Sequence, residues 1–109
     1  MVNNKVKSYI GFAKRSRKFK AGTNALKTVK KDLFLLIICK TASQNTLKEA
    51  EKLSERFNCP LIQTVNQTVE EIADKENFKL VGILQQELAK AIILNAGEDF
   101  KTISGGINE

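Results

Sequence analysis

The stretch Lys14-Arg15-Ser16-Arg17-Lys18-Phe19-Lys20-Ala21-Gly22-Thr23-Asn24 gathers the side chains of this sequence best suited to recognition chemistry. Its Lys and Arg groups can neutralise phosphates and release counterions, which supplies affinity without sequence choice. Gly22 permits a sharp turn and the close approach of a foreign backbone. A helix opening after it would point unpaired N–H groups and the positive end of its dipole outward, toward a phosphate or the edge of a base. Asn24 adds a donor pair and an acceptor that can read a base edge. Lys27 follows one turn later, then Lys30 and Lys31. The same stretch also reads as an ordinary strand-to-helix turn, with Thr23 or Asn24 as the cap. It is no nucleotide-binding P-loop, because the Gly-x-x-x-x-Gly-Lys-Ser/Thr spacing is missing. A second candidate contact is the polar turn Asp74 to Lys79, with Lys75, Asn77 and Phe78. An aromatic on such a loop can stack on an unpaired base, or it can belong to the core at a strand edge.

Other chemistries find little support. The chain contains no histidine, which removes the commonest general base and transition-metal ligand. Cys39 and Cys59 have neither a metal spacing nor a disulfide framework around them and read as two buried thiols. No nucleophile–base pair or metal constellation can be assembled, so no enzymatic activity, metal or cofactor is expected. Charge is the stronger signal. The net charge of +6 divides into +10 over residues 1–31, which hold no Asp or Glu, and −4 over the rest. Such segregation makes a one-signed field that attracts a polyanion.

These groups must be positioned by a fold, and 109 residues suit one domain with a modest core. Val6, Tyr9, Ile10 and Ala13 have the spacing of an amphipathic helix. A short strand over Lys18 to Ala21 before Gly22 and a second helix, capped by Thr23 or Asn24 and running to about Lys31, follow, with Ala25, Leu26 and Val29 inward. The run Phe34 to Cys39 suits a central strand covered on both faces. Thr46 and Glu49 have capping-box spacing for a third helix, and Thr68 and Glu71 repeat it for a short fourth one. Strands are expected over Leu61 to Val65 and Leu80 to Leu84, the latter weakened by Gly82, and a last helix over Gln85 to Asn95. Residues 96–109 read as a flexible tail after a domain of residues 1–95. The alternation makes an α/β protein, an α/β/α sandwich. The longest apolar run, Leu33 to Cys39, is too short to span a membrane, and the N-terminus lacks signal-peptide features, so a cytoplasmic monomer is expected.

Gly11-Phe12-Ala13-Lys14-Arg15-Ser16-Arg17-Lys18, then Gly22-Thr23-Asn24, then Leu35-Leu36-Ile37-Ile38 with Ala42-Ser43-Gln44-Asn45-Thr46, resemble in order the L-seven-Ae / L-thirty-e superfamily of ribosomal proteins. The closest branch is the bacterial YlxQ-type members, and the similarity runs through Cys59-Pro60 to about residue 95. The resemblance implies a three-layer α/β/α sandwich around a four-stranded mixed sheet. It also implies binding of RNA kink-turns, with Gly22 and Asn24 entering the groove at the sheared G·A pairs and Lys75 to Phe78 covering an extruded base. Ala25 stands where that family has a glutamate, Thr28 where it has a lysine, and the turn before the central strand is about two residues shorter. The expected partner is therefore RNA, in the ribosome or in a messenger leader. Its phosphates would be met by Lys14, Arg15, Arg17, Lys18, Lys20, Lys27, Lys30 and Lys31, gathered beside the N-terminal mouth of the second helix. The competing expectation is a protein-interaction or ribosome-assembly module of the same fold without specific RNA readout, motivated by Ala25 and Thr28.

Overall fold

A helical apolar stripe opens the chain. In α1 (Asn4–Arg15), Val6, Ile10 and Ala13 are buried along one face, as their spacing predicts. The computed structural model describes residues 4–74 and 76–104. After α1 come β1 (Phe19–Ala21), α2 (Thr23–Lys27), β2 (Leu35–Ile38), α3 (Gln44–Phe57), β3 (Leu61–Thr64), α4 (Val69–Ala73), β4 (Leu80–Ile83), α5 (Gln86–Leu94), a 3₁₀ turn (Gly97–Asp99) and β5 (Phe100–Ser104). The strands form one mixed sheet in the order β1-β4-β2-β3-β5. Strands β2 and β3 run parallel, and the other three pairings are antiparallel.

The uninterrupted apolar run of β2 is explained by two hydrophobic clusters that take its residues alternately. Leu35 and Ile37 join Val6, Ile10 and Ala13 of α1, Ile72 of α4 and Leu88 and Ile92 of α5. Leu36 and Ile38 join Leu26 of α2 and Ala50 and Leu53 of α3. A strand sandwiched this way has no polar face to alternate with.

The sheet has five strands, not four. Strand β5 lies in the segment expected to be a frayed tail. It pairs with β3, and its Phe100 is buried in the first cluster while Ile103 packs against the second. Its polar composition hid it, because two apolar residues on opposite faces make neither a run nor an alternation. Two helix boundaries also differ from expectation. Helix α2 stops at Lys27, short of Lys31, where the Thr28 hydroxyl donates to the Ala25 carbonyl at 2.6 Å and closes the turn. Helix α3 starts three residues before the expected box: Ser43 caps it, its Oγ accepting from the Thr46 N–H at 3.1 Å. Glu49 turns instead to Lys27, at 3.0 Å. The Thr68–Glu71 capping box is present as expected. Both cysteines are buried and free, and burial pushes the Cys59 thiol up to about 11.

Two features fix the elements around the candidate site. Gly82 is needed for space. A Cβ there would lie 2.5 Å from Leu26 Cδ2 and 2.8 Å from Leu33 Cδ1, both in fully packed side chains, so α2 and the segment after it rest directly on β4. At the other end of β4, Lys79 Nζ donates to Glu70 Oε2 at 3.0 Å and to Thr41 Oγ1 at 2.9 Å, tying α4 and the end of β2 to the start of β4. The Lys79 hydrogen bond holds the Glu70 carboxyl below its ordinary value, and Glu70 raises Lys79 in turn.

Replacing Gly82 with Ala overpacks this contact and is expected to destabilise the fold by about 1–3 kcal/mol, read as a lowered thermal midpoint. An unchanged midpoint would contradict the close seating of α2. A carboxyl held low contributes stability above its unfolded value and loses it as the pH falls through its folded one. Glu70→Gln is thus expected to be less stable than the parent near neutrality, with the gap closing below pH 4.5, the ordinary value for the group. Denaturant titrations across pH test this, and a gap independent of pH would remove the ion pair as its cause.

Candidate nucleic-acid interface

Gly22 and Phe78, read from two separate segments, meet at the mouth of α2. Gly22 is the N-cap, with φ 95° and ψ 146°. Its N–H donates to the Leu80 carbonyl at 2.8 Å, and its own carbonyl accepts from Leu26 N–H at 3.0 Å. A Cβ on Gly22 would stand 3.0 Å from Phe78 Cε1, so glycine serves both the positive φ and the aromatic ring laid against it. Phe78 is half-buried in this contact. Asn77 beside it is exposed, with φ 69°. Lys75 lies outside the described residues.

Neither Thr23 nor Asn24 caps α2, since Gly22 holds that position. Among the described residues the Asn24 amide makes no hydrogen bond, and the residue is exposed, available to a base edge. Thr23 is half-buried beside it. A five-residue helix carries only the partial charge of little more than one turn. The helix terminus therefore adds little field at this mouth, where the Asn24 side chain is exposed.

The cations gather elsewhere than expected. Arg17, Lys18, Lys20, Lys30 and Lys31 line one surface groove of about 330 Å³, together with Thr28, Val29, Asp32 and Leu84. This groove lies beyond the C-terminal end of α2, not at its N-terminal mouth. The reason is topological. Lys18 enters β1 beside Leu84, which leaves β4, and the early stop of α2 returns Lys30 and Lys31 to the same end of the sheet. Buried Val29 and Leu33 pin that loop on both sides, so Lys30, Lys31 and Asp32 are pushed outward. Across α2 the two surfaces are separated by about 7 Å of helix.

The remaining predicted cations have other work. Lys14 Nζ donates to the Ala73 carbonyl at 2.7 Å and to the Asp74 carbonyl at 3.4 Å, completing the C-terminal end of α4. Lys27 is held by Glu49, whose carboxyl it keeps below the ordinary range by hydrogen bond and charge. Arg15 folds back on α1, where its guanidinium carbon is 5.9 Å from the centre of the Phe12 ring. Thr28 spends its hydroxyl on its own helix.

Two features of the region were not read from the sequence: the left-handed backbone at Arg17, itself expected as a phosphate contact, and the exposed ring of Phe12. Arg17 sits at φ 62°, with Lys18 N–H bonded to the Ala13 carbonyl at 2.8 Å and Arg17 N–H to that of Lys14 at 3.2 Å. This is a Schellman ending in which the left-handed position, usually glycine, holds an arginine at a cost of about 1–2 kcal/mol. The basic run concealed it, since nothing in composition marks the turn. Phe12 is 55% exposed. Its position off the inward stripe of α1 was the available signal.

A larger cleft of about 430 Å³ opens between Phe34, Phe57, Pro60 and Ile93. None of the predicted site residues lines it, and its apolar walls do not suit a polyanion. Among the described residues no group of three or more His, Cys, Asp or Glu side chains could hold a metal ion. No described helix is long and apolar enough to cross a membrane.

The sequence matches no protein-family model and no curated protein. Among solved structures, the fold is similar to that of a protein of unknown function from Bacillus halodurans, with a TM-score of 0.69 and 19% identity over 86% of this chain and 98% of that one. At this level of identity the likeness establishes a shared α/β fold.

Proposed function

We propose that this chain is a non-catalytic RNA-binding protein of the kink-turn-recognising type, working as a cytoplasmic monomer on ribosomal or messenger RNA. The observation that carries the reading is the groove of five cations, Arg17, Lys18, Lys20, Lys30 and Lys31, with Asp32 as the one acid on its rim. A mixed-sign surface would be the default for a soluble domain. Two clusters on alternate residues of β2 support a three-layer reading of the fold, with α2 and its two ends on one side. Asn24 and the Gly22–Phe78 contact form the reading end, and the groove forms the phosphate end.

A-form RNA hides its major-groove edges, so a protein of this size reads places where the helix is bent or its bases are unstacked. Binding such a place also holds it bent, through preference for that conformer. With alanine at position 25 and the Thr28 hydroxyl bonded to its own helix, the readout falls to Asn24 and the backbone beside it. Charge then supplies most of the affinity.

The deciding experiment is a salt-dependent titration with a kink-turn RNA and with the same RNA carrying Watson–Crick pairs in place of its G·A pairs. About fivefold to tenfold preference for the kinked form is expected, lost in Asn24→Ala. The logarithmic salt slope should be about −4, as five phosphate contacts would give. Equal affinity for both RNAs would remove the kink-turn reading, and absence of salt-sensitive binding would remove RNA altogether. Arg17→Gly sharpens the test. It relieves the left-handed turn and is expected to stabilise the fold by roughly 1 kcal/mol while weakening RNA binding and reducing the salt slope by about one. A variant neither more stable nor weaker in binding would show that the arginine is not kept for a ligand.

A further inference from the structure

We infer that Phe12 and Arg15 form a stacking ledge on α1 for a base of single-stranded RNA flanking the bound element. The inference rests on the RNA reading above and extends it to a surface outside the groove and the mouth of α2.

Phe12 is the one exposed phenylalanine among those described, at 55%, while the others are buried or half-buried. It lies two residues from buried Ile10, about 200° around the helix, so its ring points away from the core face of α1. Arg15, one turn on, brings its guanidinium carbon to 5.9 Å from the ring centre, and its Nη1 comes within 3.5 Å of where a Cβ of Gly11 would stand. The ring and the guanidinium are thus presented together, and each can take the face of a base. An isolated exposed apolar side chain needs no explanation by itself. The neighbours of Phe12, Gly11 and Arg15, line a cleft of about 260 Å³ with Lys7, Lys14, Ile72, Ala73 and Asp74, the one acid there.

Continuity with the main groove gives the occupant. Arg15 and Arg17 are two residues apart, at most about 7 Å of chain, yet Arg15 opens into this cleft and Arg17 into the groove. A polyanion leaving the groove past Arg17 meets Arg15 next, with the Phe12 ring beside it. Alternation of cation and aromatic is the pattern for a single strand, whose phosphates take the cations while a base takes the ring. A duplex would present its stacked bases to one another and leave Phe12 unused.

The sequence has no tryptophan, so Phe12→Trp in the full chain creates a single reporter on a surface position. Titration with short oligoadenylate is expected to quench its emission saturably. Inorganic polyphosphate, which offers charge without bases, should bind without quenching. In parallel, Phe12→Ala should weaken oligoadenylate binding about tenfold, measured by filter retention, with polyphosphate binding unchanged. Equal quenching by both ligands, or full oligoadenylate affinity in Phe12→Ala, would overturn the ledge while leaving the groove standing. Failure of the parent chain to retain any RNA would end both readings. If Phe12→Ala instead abolished capture of a protein from ribonuclease-treated lysate and left RNA binding intact, the ledge would belong to a protein partner, and the inference would be wrong.

Discussion

The contact on which the arrangement turns is a missing side chain. Gly82, in the interior of β4, leaves the space that Leu26 and Leu33 occupy, and these two residues bracket α2 and the loop behind it. Glycine in a strand interior normally weakens the strand, and here it marks the close approach of another element. Because α2 lies against β4, its two ends are delivered to the two ends of the β1–β4 ladder. At one end Gly22 meets Phe78. At the other, the loop carrying Lys30 and Lys31 meets the turn carrying Arg17 and Lys18. One glycine thus sets both halves of the candidate interface.

The groove carries an energetic cost. Five cations around one depression repel one another, with a single rim carboxylate against them, and Arg17 adds a left-handed backbone that glycine would adopt freely. Strain of this kind persists where the surroundings over-determine it, and it clusters at functional positions. The Schellman bonds from Lys18 and Arg17 supply that constraint. Elsewhere the chain treats its cations conventionally: Lys14 completes α4, Lys27 and Lys79 meet carboxylates. Among the described residues, the contrast between the cations that meet carbonyls or carboxylates and those that line the groove is therefore more informative than the total charge.

Where one interaction dominated a segment, its structure was legible in the residues. The stripe of α1, the covered strand β2 and the Thr68–Glu71 box each follow from local periodicity or reciprocal capping. Gly22 was legible as a turn, though its second role against Phe78 needed two segments brought together from 56 positions apart. What escaped the sequence were choices between equivalent partners. Glu49 could close a capping box or pair with Lys27, and only the packing of α2 on α3 decides for Lys27. Strand β5 escaped because its pairing with β3 replaces the pattern that a lone strand would need. The position of the cations relative to α2 escaped because it hangs on where that helix stops, a matter of one threonine hydroxyl.

The distribution of these surfaces also constrains the size of any ligand. The groove and the mouth of α2 are about 7 Å of helix apart, a gap comparable with the reach of a single nucleotide. A ligand that fills the whole groove with its five cations, meets Asn24 and also reaches Arg15 extends over several nucleotides. Such a ligand would relieve the repulsion among the cations and so bind the folded state in preference to the unfolded one, raising stability by mass action. The destabilising features of the groove and the stabilisation expected from its ligand are then two sides of the same electrostatic field. A surface that served a neutral protein partner would gain nothing from keeping those charges together.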